Sequence, residues 1–249
     1  MLAIIGGSGL TELPSLEVTR KQIVRTPFGE PSGPLTFGRL GAGEVAFLAR
    51  HGYGHTLAPH EINYCANLWA LKEKGVTRIL AICTVGGITR EFGVGSLAIP
   101  DQIIDYTWGR KSTFFEGAEQ PVVHVDFTLP FCEVTRAMIV AAAAETEVAM
   151  VPRATYAAVQ GPRLETAAEI NRLERDGADI VGMTGMPEAA LARELDIPYA
   201  AIAVVANAAA GRGSSAQAIP VENIANVLKE AMGRVRRVVD KVVENNGHP

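Results

Sequence analysis

Two apolar patterns alternate along the chain. One is a short, nearly continuous run that ends in glycine or a hydroxyl residue. The other is a longer stretch with apolar positions three and four apart. The first predicts buried strands and the second amphipathic helices. Leu2–Ile5 is a run of the first kind and opens directly into Gly6-Gly7-Ser8-Gly9. Leu35–Arg39 and Glu44–Ala49 predict a hairpin about Gly41-Ala42-Gly43 that delivers Arg50, His51 and Gly52 to a strand end. Glu61–Lys74 predicts a helix, with Ile62, Cys65, Leu68, Trp69 and Leu71 on its apolar side and Gly75 after it. Arg78–Cys83 predicts a strand followed by a second glycine turn, Thr84-Val85-Gly86-Gly87. Short strands follow at Ser96–Ile99 and Gln102–Ile104, then Tyr106–Val122, a stretch of little periodicity whose length suggests a functional or interface loop. Phe131–Ala144 predicts a helix, Ala154–Val159 a strand, Tyr199–Ala206 a buried strand ending at Asn207, and Pro220–Val243 a long terminal helix.

The second half of the chain is organised by Gln160–Glu188. Gly161-Pro162 is a turn signal. A short helix with a solvated charged face follows, then a strand over Ala178–Met183 and a helix start at Met186-Pro187-Glu188. Two loops therefore emerge side by side. One carries Arg163, Leu164 and Glu165, the other Met183 and Thr184. In an α/β sheet ligands bind where strands give way to helices. An apolar surface beside a carboxylate, facing a thioether and a hydroxyl, suits a flat heterocycle attached to a polyol better than a metal.

The 249 residues suffice for one large α/β domain, and no repeat or linker divides positions 1–249. With 20% charged residues and a net charge of −4, nothing in the charge favours nucleic acid or a membrane surface. Cys65, Cys83 and Cys132 lack CxxC spacing and sit in apolar contexts, as buried reduced thiols of a cytoplasmic protein would. No run approaches the length of a membrane span.

Glycines after a strand let backbone N–H groups approach an anion, and Ser8 adds a donor. An ordinary tight turn would look the same, because the stretch lacks a P-loop lysine and the full GxGxxG spacing. Arg50 at a strand end reads either as an anion fork or as half of a surface ion pair. Two glycine turns, with Ser8 and Thr84, together with Arg50 make a phosphate site more plausible than any one of them alone. His51, His55 and His60 raise the question of a metal, but their spacing matches no zinc pattern and no cysteine or carboxylate lies close in sequence.

Gly6-Gly7-Ser8-Gly9, Ala49-Arg50-His51-Gly52, Asn63-Tyr64-x-Ala66-Asn67-x-Trp69-Ala70-Leu71-Lys72, Gly161-Pro162-Arg163 and Met183-Thr184-x-x-Pro187-Glu188 together resemble the trimeric purine nucleoside phosphorylases, in the same order over nearly the whole chain. The closest branch looks like the 5′-methylthioadenosine phosphorylases. The resemblance implies a single α/β domain with a twisted, partly closed mixed β-sheet flanked by helices. It implies a cytoplasmic homotrimer with sites near subunit interfaces, acting on a small-molecule nucleoside with inorganic phosphate as co-substrate and no cofactor or metal. Carried onto this chain, it makes Ser8, Arg50, His51, Thr84, Val85 and Thr184 phosphate contacts. Met183 would lie under the ribose and Leu164 beside the base.

Departures from the adenosine-type pattern concern the base and the 5′ group. The last strand of that branch is followed by two aspartates, and the matching positions here are Asn207 and Ala209. The base-loop serine of that branch is Glu165 here. Asn207 and Glu165 match the 6-oxopurine branch instead. An ionised Glu165 accepts from the N1–H of a 6-oxopurine but repels the N1 lone pair of a 6-aminopurine. The Asn207 amide can donate to O6 and accept from a protonated N7. Glu165 also reads as a carboxylate serving a helix start. In the 6-oxopurine branch a histidine early in the last helix reaches the 5′-hydroxyl. The matching position here is Val221, with Ile224 one turn on, so the resemblance implies an apolar wall for the 5′ pocket. His124 matches a residue near the 5′ end in the methylthio branch. An apolar wall leaves a hydroxyl unpaired and suits a methylthio group. The expected reaction is phosphorolysis of 5′-methylthioinosine to hypoxanthine and 5-methylthioribose 1-phosphate. Cleavage of 5′-methylthioadenosine or of inosine and guanosine, and a non-catalytic nucleoside-binding role, are the alternatives.

Overall fold

In the computed structural model, which describes residues 1–117 and 121–246, a ten-stranded mixed sheet is flanked by five α-helices. The strands are β1 (Leu2–Gly6), β2 (Glu17–Gln22), β3 (Leu35–Leu40), β4 (Gly43–Ala49), β5 (Arg78–Gly87), β6 (Leu97–Ala98), β7 (Gln102–Asp105), β8 (Thr155–Ala158), β9 (Ile180–Gly182) and β10 (Tyr199–Ala208). The helices are α1 (Tyr64–Glu73), α2 (Glu133–Glu145), α3 (Ala167–Arg175), α4 (Gly185–Glu194) and α5 (Val221–Asn246). The sheet runs β2-β3-β4-β1-β5-β9-β8-β7, and β10 branches from β5 and also pairs with β6.

Alternation in the buried strands explains the two layers. In β1, Ala3 and Ile5 face a core shared with Leu68 and Leu71 of α1 and Ala189 and Leu191 of α4. Leu2 and Ile4 face the opposite core, shared with Ile139 of α2 and Val235, Val239 and Val242 of α5. Strands buried on both faces read as unbroken apolar runs, which is the pattern of Leu2–Ile5 and of Tyr199–Ala206.

Strand β5 is where the sheet divides. Its first half lies between β1 and β10, both parallel to it, from Leu2↔Arg78 to Ile5↔Ala81 on one side. At Gly86–Gly87 it takes β9 as an antiparallel neighbour while still pairing with β10. The C-terminal ends of β1 and β9 therefore point towards each other along one edge of β5, and the gap between them opens the site.

The predicted turn at Thr84–Gly87 is not there: these residues continue β5, opposite Val204 to Ala208. The glycines serve a close approach instead. A Cβ on Gly87 would collide with the Phe92 carbonyl oxygen, and one on Gly86 would come within 3.2 Å of Val181 Cγ1. Helix α1 starts later than its periodicity suggests, because the Asn63 side chain caps it by accepting from the Ala66 N–H at 3.0 Å. In α3 the buried residues are Ile170 and Leu173, while Ala168 is exposed. Met186 lies outside helical geometry, so the regular part of α4 starts at Pro187. Of the long stretch Tyr106–Val122, residues 118–120 lie outside the described residues, and the rest carries no named helix or strand.

Candidate functional site

The loops after β1, β4, β8 and β9 meet the end of β5 and β10 around a cavity of about 450 Å³. Its polar lining includes Ser8, Arg50, His51, Thr84 and Thr184. Leu164, Glu165, Met183, Asn207 and Ile224 line it as well. So does Val85 of β5, which is buried. Of the residues singled out from sequence, these eleven line one cavity; Val221 and His124 do not. Val221 is 58% exposed and lines an adjoining cavity with Leu164, Glu165 and Ile219. His124 is exposed on the segment before α2.

Arg50 is no surface residue. The parallel pairing of β1 with β4 sets Gly6 beside Ala49, and the Arg50 N–H donates to the Gly6 carbonyl at 2.9 Å. Its side chain is directed inward and is fully buried. Nε and Nη2 donate to the two carboxylate oxygens of Glu188, each at 2.7 Å, and Nη1 donates to the Ile82 carbonyl at 2.9 Å. Tyr199 donates its hydroxyl to Glu188 Oε1 at 2.8 Å. Burial works against the guanidinium charge, but Glu188 overrides it and holds the Arg50 pKa well above its ordinary value. Burial, reinforced by Glu188, pushes the Tyr199 phenol well up. The arrangement presents a fixed cation edge beside Gly7 and Ser8.

His51 donates from Nδ1 to the Leu57 carbonyl at 2.9 Å, since a carbonyl can only accept. Nε2 is thereby left to the cavity. Burial lowers the His51 pKa to about 4, with Arg50 and His55 adding to the fall against the Leu57 bond. The His55 ring lies 4.3 Å from that of His51, and its Nε2 is 3.4 Å from Ser8 Oγ. His60 is exposed and outside the lining. Among the described residues no group of three or more His, Cys, Asp or Glu side chains converges to hold a metal ion.

Two hydroxyls complete the polar wall. Thr84 donates to the Ser8 carbonyl at 3.1 Å, which ties β5 to the glycine turn. The Thr184 N–H donates to the Tyr156 hydroxyl at 3.3 Å, deep under the same wall. Backbone and side-chain donors around a fixed guanidinium form a cradle that fits a tetrahedral oxyanion.

Glu165, also in the lining, is not needed for the start of α3. Thr166 is the N-cap of α3, accepting from the Glu169 N–H at 3.1 Å, while Glu169 Oε2 accepts from the Thr166 N–H at 2.8 Å. This capping box, with Arg163 donating to both Glu169 oxygens at 2.8 and 2.7 Å, serves the helix start. Arg163 and then the Thr166 N–H hold the Glu169 pKa down at about 2. Glu165 has no part in it. It stands outside the helix, and burial raises its pKa. The spacing Thr166-x-x-Glu169 was the sequence signal for this division of labour. Asn207 is nearly buried and donates from Nδ2 to the Ala208 carbonyl at 2.8 Å. A β-bulge between Val205 and Asn207 in the β5–β10 pairing places it at the cavity.

Pairing between residues 138 positions apart left no local signal for Glu188 as the partner of Arg50. Removing one member of a buried ion pair destabilises by about 3–5 kcal/mol. Glu188→Ala is therefore expected to lower the urea unfolding free energy by about that much, and Arg50→Met combined with Glu188→Leu by clearly less than the sum of the single changes. The folded chain keeps His51 neutral down to about pH 4, whereas an unfolded imidazole takes up its proton near its ordinary value of 6.5. Between those values the unfolded state binds more protons, so stability present above pH 6.5 is lost as pH falls towards 4. Urea midpoints measured across that window should slope less in His51→Gln than in the wild type.

Residues 1–244 match the model of the phosphorylase superfamily. The chain is 53% identical over 242 residues to a probable S-methyl-5′-thioinosine phosphorylase of Xanthomonas campestris pv. campestris, covering 95% of this chain and 97% of that protein. It is 50% identical over 215 residues to a 6-oxopurine nucleoside phosphorylase of Pyrococcus furiosus, covering 84% and 80%. Among solved structures, a Schistosoma mansoni methylthioadenosine phosphorylase in complex with adenine superposes with a TM-score of 0.95 at 31% identity, covering all of this chain and 92% of that one. With the superfamily model matching residues 1–244, and with relatives of this identity along nearly its full length, the chain belongs to the phosphorylase superfamily.

Proposed function

We propose that this protein cleaves S-methyl-5′-thioinosine with inorganic phosphate, releasing hypoxanthine and 5-methylthioribose 1-phosphate. The observation that carries the base assignment is that Glu165 and Asn207 line the same cavity as Arg50 and the hydroxyls. Phosphate is held by Ser8, Arg50, His51, Thr84, Thr184 and the backbone at Val85, with Met183 under the sugar between phosphate and base. The reacting C1′ takes on oxocarbenium character. Phosphate stabilises that positive charge from one side and attacks in line. Negative charge grows on the purine, and Asn207, donating to O6 and accepting from N7–H, disperses it while Glu165 accepts from N1–H. Fixed donors and charges of this kind are usually the largest catalytic term.

Base choice follows from polar matching. A 6-aminopurine would set its N1 lone pair against the Glu165 carboxylate. A site with such a mismatch can reject a ligand by up to ~10⁴–10⁵. The 5′ end is less sharply defined. Ile224 supplies the apolar wall from α5, while Val221 faces the adjoining cavity. Discrimination between a methylthio group and a hydroxyl therefore rests on Ile224 and on whatever a neighbouring subunit adds. The similarity to a methylthioadenosine phosphorylase favours the methylthio substituent, and the relative named for 6-oxopurines favours the base.

This reading includes a homotrimer working in the cytoplasm without a cofactor or metal. In its support, Trp108, Val122, Val123, Val125 and Leu129 expose apolar surface along one connection, the surface a partner subunit would cover, and the three cysteines are free. Light scattering should give three times the chain mass of 26.4 kDa. No helix among the described residues is long and apolar enough to cross a membrane.

Asn207→Asp is the substitution that tests the base assignment. An aspartate can accept a hydrogen bond from a 6-amino group but repels O6. The variant is expected to lose about tenfold or more in kcat/KM on methylthioinosine and to gain on methylthioadenosine. An unchanged ratio of the two kcat/KM values would overturn the assignment.

A further inference from the structure

On the connection between β7 and α2, Arg110 does something that neither motif nor cavity lining records. Its guanidinium ends on main-chain carbonyls from both ligand loops. Nη1 donates to Met183 at 2.8 Å and to Met186 at 2.6 Å. Nη2 donates to Gln160 at 2.8 Å and to Val159 at 3.3 Å. Val159 and Gln160 open the loop that carries Leu164 and Glu165, and Met183 opens the loop that carries Thr184. The ring of Tyr64, in the first turn of α1, lies 5.6 Å from the guanidinium carbon, and its hydroxyl accepts from Nη1 at 3.4 Å.

We infer that Arg110 is a positioning residue that sets the spacing between the base-reading loop and the sugar-facing loop. A planar fork with fixed N–H directions suits the task, because two nitrogens reach two loops at a fixed separation. A lysine ammonium is a point donor and cannot reproduce that span. Besides Arg110, the Val159 N–H donates to the Gly182 carbonyl at 2.8 Å and the Thr184 N–H to the Tyr156 hydroxyl at 3.3 Å, both at the base of the loops. Strands β8 and β9 pair only as far as Ala158↔Gly182 and then diverge. Gly161 packs against Met183 so closely that a Cβ there would collide with its sulfur. The same two loops supply Glu165 and Met183, whereas Ser8, Arg50, His51 and Thr84 stand on other elements. Arg110 thus touches the nucleoside half of the site through the backbone while leaving most of the anion half untouched. The inference rests on the reading of this cavity as a nucleoside and phosphate site.

Arg110→Met keeps the length and apolar stem and removes the fork. A misplacement of about 1 Å can cost about 100-fold in rate. The KM for nucleoside is expected to rise about tenfold or more and kcat to fall, while inorganic phosphate bound alone, measured by calorimetry, keeps its affinity within about threefold. Arg110→Lys should fall between the variant and the wild type. The kinetics use whichever of methylthioinosine, methylthioadenosine and inosine the wild type cleaves fastest, so an error in the substrate assignment leaves this test standing. Wild-type protein that cleaves none of them would sink the functional reading, and this inference with it. An Arg110→Met protein with a lower melting temperature but unchanged nucleoside KM would reduce Arg110 to a fold-stabilising residue and overturn the inference. So would equal weakening of phosphate and nucleoside. Should Arg110→Met not fold, Arg110→Lys against the wild type decides by the same comparison.

Discussion

The site depends on a buried charge that must be held in place. Arg50 carries its guanidinium into the interior, where an isolated cation could not persist. Glu188 takes one edge of it with two short hydrogen bonds, Tyr199 steadies Glu188, and the Ile82 carbonyl takes a further N–H. Three elements are thereby locked together: the end of β4, the middle of β5 and the start of α4. The remaining edge of the guanidinium faces the glycine turn after β1. Because Glu188 balances the charge, the cradle relies on aimed donors and not on net positive charge. That restraint suits a site that must also keep a carboxylate, Glu165, across the same cavity.

The sheet supplies the opening in which this happens. A uniform parallel sheet would leave β1 and β10 alone beside β5. Here β9 joins β5 antiparallel at Gly86–Gly87, on the edge that β1 leaves after Ala81, so the loops after β1 and β9 run towards each other along the same edge of β5. The lack of a side chain at the two glycines leaves room for Val181 of β9 and for the Phe92 carbonyl. The bulge in β10 falls just before Asn207, which lines the cavity. Fold and site are thus one feature.

Much of this was legible in the chain. The apolar runs give the strands and the 3–4 spacing gives the helices, because burial on one or two faces dictates both periods. The loops carrying Leu164 and Glu165, and Met183 and Thr184, emerge side by side as the strand–loop–helix pattern predicts. What escaped the sequence is long-range. Thr84–Gly87 has the composition of a turn, yet three-way pairing keeps it extended. Arg50 reads as a surface residue by type until Glu188, far along the chain, is seen against it. Arg110 sits in a stretch without period, and its partners are carbonyls, which no residue type announces. The Thr166-x-x-Glu169 capping box was within reach of sequence reasoning, and it separates Glu165 from the helix start to which its position would otherwise assign it. Val221 and His124, singled out by likeness to the family, stand outside the main cavity of the single chain.

One measurement tests the central claim most directly: release of free base by the unmodified protein from methylthioinosine, methylthioadenosine and inosine, each with and without inorganic phosphate. The account predicts hypoxanthine from methylthioinosine only when phosphate is present, with much slower cleavage of the other two nucleosides. Preference for methylthioadenosine would contradict the reading of Glu165 and Asn207. Preference for inosine would contradict the apolar 5′ wall, and turnover without phosphate would contradict the anion cradle built around Arg50.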